Sequence, residues 1–131
     1  MDDKLKIHGA ISWYELMTSD VEAAKEFYSA LFCWEYETFD GDPAAEYNVV
    51  KVNSEMVGGI MKTPPQCTHQ PPCWGAYVTV EDIDATAAKI EKLGGKIIVP
   101  PTDIPTVGRF SVFSDPQGAV LSAISYFPQD K

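Results

Sequence analysis

Two stretches of this chain repeat the same pattern 62 residues apart. The first is "AISWYELM" followed by "TSDVEAAKEFYSALFCW"; the second is "CWGAYVTVEDIDATAAKIEKLGG". Shifted by 62, Asp82 falls on Asp20, Ile83 on Val21, Ala85 on Ala23, Ile90 on Tyr28 and Leu93 on Leu31, with no gap. In the first copy Val21, Ala24, Phe27, Tyr28 and Leu31 recur at helical spacing. Ser19 and Glu22 have the capping-box pattern, which predicts a helix starting near residue 20. The apolar run before it alternates as a strand, with Trp13, Glu15 and Met17 on one face and Tyr14 and Leu16 on the other. Short strand-like runs follow each helix, "EYNVVKV" and "MVGGIM" in the first half, "KIIVPP", "GRFSVF" and "AVLSAISYF" in the second. The repeat unit predicted is β-α-β-β-β.

Between the copies lies "KTPPQCTHQPP", residues 62–72, with four of the ten prolines. Proline lacks an N–H and breaks helices and central strands, so this segment is predicted as a linker. The expected organisation is one domain over residues 1–131, made of a module at 8–62 and a module at 73–127. At 45% hydrophobic the chain has enough apolar side chains for a core. No apolar run approaches the ~20 residues that span a bilayer, and "MDDKLKIHGA" lacks the apolar centre of a signal peptide, so a cytoplasmic protein is expected. Three cysteines without a CxxC pair fit a reducing compartment. A net charge of −9 repels phosphate backbones and anionic membranes, which argues against nucleic acid and membrane partners and favours a neutral or cationic ligand.

"WYELMTSDVEAAKEFYSALFCW" and "GRFSVFSDPQGAVLSAI" resemble characteristic segments of the vicinal oxygen chelate superfamily, the glyoxalase, bleomycin-resistance and dioxygenase group, nearest its lactoylglutathione lyase-related branch. The resemblance runs from about residue 8 to 127. It implies an α+β fold of two tandem βαβββ modules forming a curled mixed sheet with a cleft, usually completed by dimerisation. In metal-dependent members, His and Glu on four strands hold a divalent ion. Carried over, those columns fall here on Trp13, Gly75, Ser122 and Ile60, the last within one position of "GGIM". None is a usual metal ligand, so no metal and no cofactor is expected. Glutathione conjugates are anionic, whereas this chain has one arginine, Arg109, which argues against them.

What the pocket offers instead is aromatic. Trp13 and Gly75 share their faces with Glu15 and Tyr77, and Tyr47 and Arg109 are counterparts on later strands and are placed toward the cavity. The expected ligand-binding set is Trp13, Tyr47, Tyr77, Arg109 and Ser122, with Glu15 as the candidate catalytic group. Core packing accounts equally for Trp13 and Tyr77, and a salt bridge to Arg109 or an edge position accounts for Glu15. Cys67, His69 and Cys73 hint at zinc but lack a fourth ligand. His8 precedes the first strand; the glycine pair at 58 and 59 has no phosphate-loop spacing, and that at 94 and 95 reads as a helix stop.

Two functions follow. One is a metal-independent binding protein for a small aromatic or cationic molecule. The other is an atypical lyase or isomerase with Glu15 as general base and Tyr77 or Arg109 polarising a carbonyl. Open strand edges predict a homodimer. Where related sequences read Phe-Gly-Trp this one reads Phe32-Cys33-Trp34, which predicts a left-handed Cys33.

Overall fold

The computed structural model describes residues 3–39, 46–64 and 71–128. After a short 3-10 turn at Asp3–Lys6 come β1 (Ile11–Thr18), α1 (Val21–Phe32), β2 (Glu35–Thr38), β3 (Asn48–Val52) and β4 (Glu55–Lys62). The second half repeats the series as β5 (Cys73–Thr79), α2 (Ile83–Lys92), β6 (Lys96–Ile104), β7 (Gly108–Ser114) and β8 (Val120–Tyr126). The fold is α+β, a mixed sheet with helices. The chain divides into two compact units, one Trp13–Trp74, the other Met1–Ser12 with Gly75–Lys131.

Both helices start for the same reason. Asp20 and Asp82 are the N-caps, with extended φ of −138° and −140°, and their carboxylates accept from the Ala23 and Ala85 N–H groups at 3.0 and 3.1 Å. Each satisfies a first-turn donor and puts negative charge at the positive end of the helix. Asp20 therefore does the capping expected of Ser19. Glu22 instead pairs along the helix with Lys25 at 3.4 Å.

The helices stop differently. α2 hands over to Gly94 at φ +92°, where glycine has no Cβ to clash. α1 ends on Cys33 at φ 59°, ψ 29°, its N–H bonded to the Ser29 carbonyl at 2.9 Å. A side chain in this region costs about 1 kcal/mol that glycine avoids. Cys33 is exposed, so its loss opens no void. Cys33→Gly is expected to raise the urea midpoint, by several tenths of a kcal/mol net of glycine's larger unfolded-state entropy; a lower midpoint would contradict this account.

In the Trp13–Trp74 unit, β1 runs parallel to β4, which pairs antiparallel with β3, and β3 with β2. Leu16, Val21, Val50 and Ile60 form its core, with Ala24, Tyr28, Trp34 and Tyr36 packed against it. Burying each aliphatic side chain stabilises the fold by about 1.5–3 kcal/mol. In the other unit β5 is parallel to β8, β8 antiparallel to β7, and β7 to β6. Val80, Ile83 and Ala123 form that core, with Phe113 against it.

The expected curled sheet with a cleft requires correction. Among the described residues the strands of one unit run in the order β2-β3-β4-β1 and those of the other in the order β5-β8-β7-β6, each an open mixed row that is not curled on itself. Curling a sheet depends on strand tilt and on the stagger of hydrogen-bond register. The order of elements carries neither quantity.

The second unit also carries a chain of hydroxyls running from the part-buried Tyr126 to the buried Ser12 and Thr79. Thr79 Oγ1 bonds the Leu5 carbonyl at 2.5 Å and Ser12 Oγ at 2.9 Å, and Ser12 Oγ bonds the Tyr126 hydroxyl at 2.7 Å. A carbonyl only accepts and a hydroxyl has one proton, so the protons run from Tyr126 to Ser12 to Thr79 to Leu5. This chain ties the segment before β1 to β5 and β8.

Candidate functional site

α1 covers the face of its sheet that carries Leu16, Val50 and Ile60. Strand alternation puts Trp13 and Glu15 on the opposite face. In register, Glu15 stands beside Gly59 of β4, and Gly59 beside Val49 of β3. Two residues before Val49, Tyr47 shares that face. Its hydroxyl donates to Glu15 Oε2 at 2.8 Å and accepts from Trp13 Nε1 at 2.8 Å. The Phe39 ring meets the Tyr47 ring edge-on at 6.0 Å. Glu15 is only 7% exposed. A carboxylate is costly to bury, and a charge-assisted hydrogen bond from a phenol offsets part of that cost.

The direction of these bonds has chemical content. The Trp13 N–H is given to Tyr47 and the Tyr47 proton to Glu15. Both protons point inward along the chain and end on an acceptor. The arrangement is a carboxylate held by Tyr47, whose hydroxyl also receives the Trp13 N–H and whose ring meets Phe39.

The remaining candidates lie in the other unit. Tyr77 is in register with Ser122, on the sheet face away from α2, and its ring lies 6.2 Å from that of Phe110. Gly75, two residues back on β5, shares that face. Arg109 does not. Its neighbours in register place it on the side of Phe113 and Ala123, which packs under α2. There its guanidinium binds Asp84 at 3.1 Å and Asp103 at 3.0 Å. Its hydrogen bonds to Asp84 and then to Asp103 push its pKa above the ordinary value. Arg109 thus faces α2 rather than the face of Tyr77, and the salt bridge considered for Glu15 is made with these two aspartates.

The residues do not fit a divalent metal. Trp13 offers an N–H, Gly75 offers no side chain, and Ser122 is a lone hydroxyl. Leu16 is in register with Ile60, so Ile60 points into the α1 core and the face of Glu15 carries Gly59 and Met61. Among the described residues no three His, Cys, Asp or Glu side chains are grouped to hold an ion. Cys67 and His69 lie outside the described residues; Cys73 is exposed at the start of β5. His8 accepts the Glu81 N–H at 3.1 Å. Sequence reasoning missed Phe39, which stands just past a strand with no periodicity to place it. It also missed the clamp on Arg109, for which the one signal was the acidic residue in the first turn of α2.

A four-strand ladder repeated with its capped helix defines a class of protein. Residues 10–122 match the model of the Glyoxalase/Bleomycin resistance protein/Dioxygenase superfamily, and the chain belongs to that family. It is 40% identical over 121 residues to the putative glyoxylase CFP32 of Mycobacterium bovis, covering 92% of this chain and 46% of that protein. It is 29% identical over 126 residues to the anthracycline biosynthesis protein DnrV of Streptomyces peucetius, covering 87% of this chain and 46% of that one. The chain therefore spans about half the length of these curated relatives. Among solved structures, a hypothetical protein from Bacillus halodurans shares the fold at a TM-score of 0.72 and 8% identity, over 94% of this chain and 98% of that one. No helix among the described residues is long and apolar enough to cross a membrane.

Proposed function

We propose that this chain binds a small aromatic or cationic molecule against the sheet face of Trp13, Glu15 and Tyr47, without a metal. The observation that carries the reading is the bond chain from Trp13 through Tyr47 to a nearly buried Glu15. Aromatic faces attract cations, and a carboxylate behind them adds charge. A net charge of −9 favours the same ligands. DnrV is named for anthracycline biosynthesis, and anthracyclines are fused aromatic compounds, which agrees with this class.

Titrating Trp fluorescence with a panel of amine-bearing aromatic compounds tests it. Saturable quenching is expected, weakened at least about tenfold in Glu15→Gln, the equivalent of about 1.4 kcal/mol. Equal quenching by carboxylated analogues, or an unchanged affinity in the variant, would overturn the reading. The second reading, an atypical lyase or isomerase with Glu15 as general base, draws on the same phenol-held carboxylate. It requires turnover with a pH-dependent rate that Glu15→Gln abolishes. Of its two carbonyl-polarising candidates, Tyr77 and Arg109, the second is held by Asp84 and Asp103 on the α2 side of its sheet.

A second copy of the chain belongs to the proposal as partner. β2 and β6 are sheet edges, and Phe27 and Leu31 of α1 are more than half exposed. Sedimentation at micromolar concentration is expected to show a dimer; a 14.4 kDa species alone would contradict it.

A further inference from the structure

Two glycines adjoin in β4, and they are glycines for different reasons. A Cβ on Gly58 would collide with the backbone carbonyl of Tyr14 on β1, an atom of the main chain. A Cβ on Gly59 would fall inside the phenol of Tyr47, and the three atoms nearest to it are all side-chain atoms of that residue. Gly59 also stands in register between Val49 of β3 and Glu15 of β1. The Tyr47 side chain starts beside β3 and its hydroxyl ends on Glu15, with β4 between. Neighbouring strands are about 4.8 Å apart, so the Tyr47 side chain, its hydrogen bond and the Glu15 side chain together cover two such steps, with the phenol passing over β4 at Gly59. It can lie there only where β4 has no side chain.

We propose that Gly59 is the positioning residue of this face: its bare Cα is the floor on which Tyr47 crosses β4 to hold Glu15 and receive the Trp13 N–H. The inference rests on the binding face proposed above, but its test uses ligand-free protein, so its failure is separate from a failure of the ligand titration. A methyl at position 59 lifts the phenol off β4 and breaks both bonds at the Tyr47 oxygen. Gly59→Ala then acts on the site as Tyr47→Phe does, though it touches neither Trp13 nor Glu15 itself.

The Trp13 indole N–H resonance, assigned by its loss in Trp13→Phe, reads the bond to Tyr47 directly. Gly59→Ala and Tyr47→Phe are each expected to shift it upfield. A simple loss of stability would not move this signal in the folded protein. The second measurement is the unfolding midpoint in two backgrounds. Gly59→Ala is expected to lower the midpoint of the parent chain and to leave that of Tyr47→Ala nearly unchanged, because the colliding ring is gone. Gly58→Ala is expected to lower both alike, since it meets backbone. Where Gly59→Ala alone does not fold, the Tyr47→Ala/Gly59→Ala pair is expected to fold, which makes the same point. An unmoved Trp13 resonance, an equal loss of midpoint in both backgrounds, or an unfolded pair would each overturn the proposal.

Discussion

Ile60→His is expected to lose about 3 kcal/mol or more of stability and to gain no metal affinity. Ile60 is 0% exposed and sits with Leu16, Val21 and Val50 beneath α1. Deleting most of a buried isoleucine costs about 2–5 kcal/mol, and the imidazole adds polar nitrogens where no partner is built for them. The substitution is informative because the family resemblance, carried through the 62-residue repeat from Ser122, implies a ligand column at or beside this position. Register decides otherwise, since Ile60 pairs with Leu16 and not with Glu15. Urea unfolding together with nickel and zinc titration checks both halves. A stable variant that binds the ion would show that the register of β4 is shifted by one residue from that described.

Thr79→Val is expected to cost about 2–3 kcal/mol, and the loss should appear first as exchange of amides in residues 3–12. The substitution keeps the side-chain shape and removes the link between Ser12 and the Leu5 carbonyl. Thr79 is 4% exposed and Ser12 6%. Each group left without its partner there loses about 1–3 kcal/mol. The same chain predicts an alkaline limb. Burial pushes the Tyr126 phenol up, with the Ser12 hydrogen bond pulling partly the other way. Above the ordinary tyrosine value of about 10 the unfolded chain has released this proton while the folded chain keeps it. The unfolded state then binds fewer protons, so stability falls as pH rises through that range. Below it both states are protonated and Tyr126 adds no pH dependence. Tyr126→Phe should flatten that alkaline fall while lowering stability at neutral pH. An alkaline limb equally steep in the variant would assign it to other tyrosines.

The parts of the fold legible in the sequence were those with local causes. Asp20 and Asp82 terminate helices within one turn of themselves, and Trp13 and Glu15 share a face because strands alternate. What was not legible depends on long-range geometry. The "GGIM" run has two residues without side chains, so alternation has nothing to anchor it, and the ligand column can be placed only to within one position of Ile60. Tyr47 and Arg109 are sequence counterparts, yet the first lies away from its helix and the second faces α2. Strand register sets the face of Arg109, and there Asp84 and Asp103, 25 and 6 residues away in the chain, hold its guanidinium. Sheet curvature was inferred from the resemblance alone.

The clamp on Arg109 also limits what the molecule can recognise. Arg109 is the chain's single arginine, and both ends of its planar fork are already committed to carboxylates of the same chain. Every other cationic side chain capable of meeting an anion is a lysine, a point charge without a preset plane. A carboxylate or phosphate arriving from solution would therefore find attraction without shape. By keeping its one guanidinium for its own aspartates, the chain has no second planar side-chain fork to offer a flat anion edge to edge.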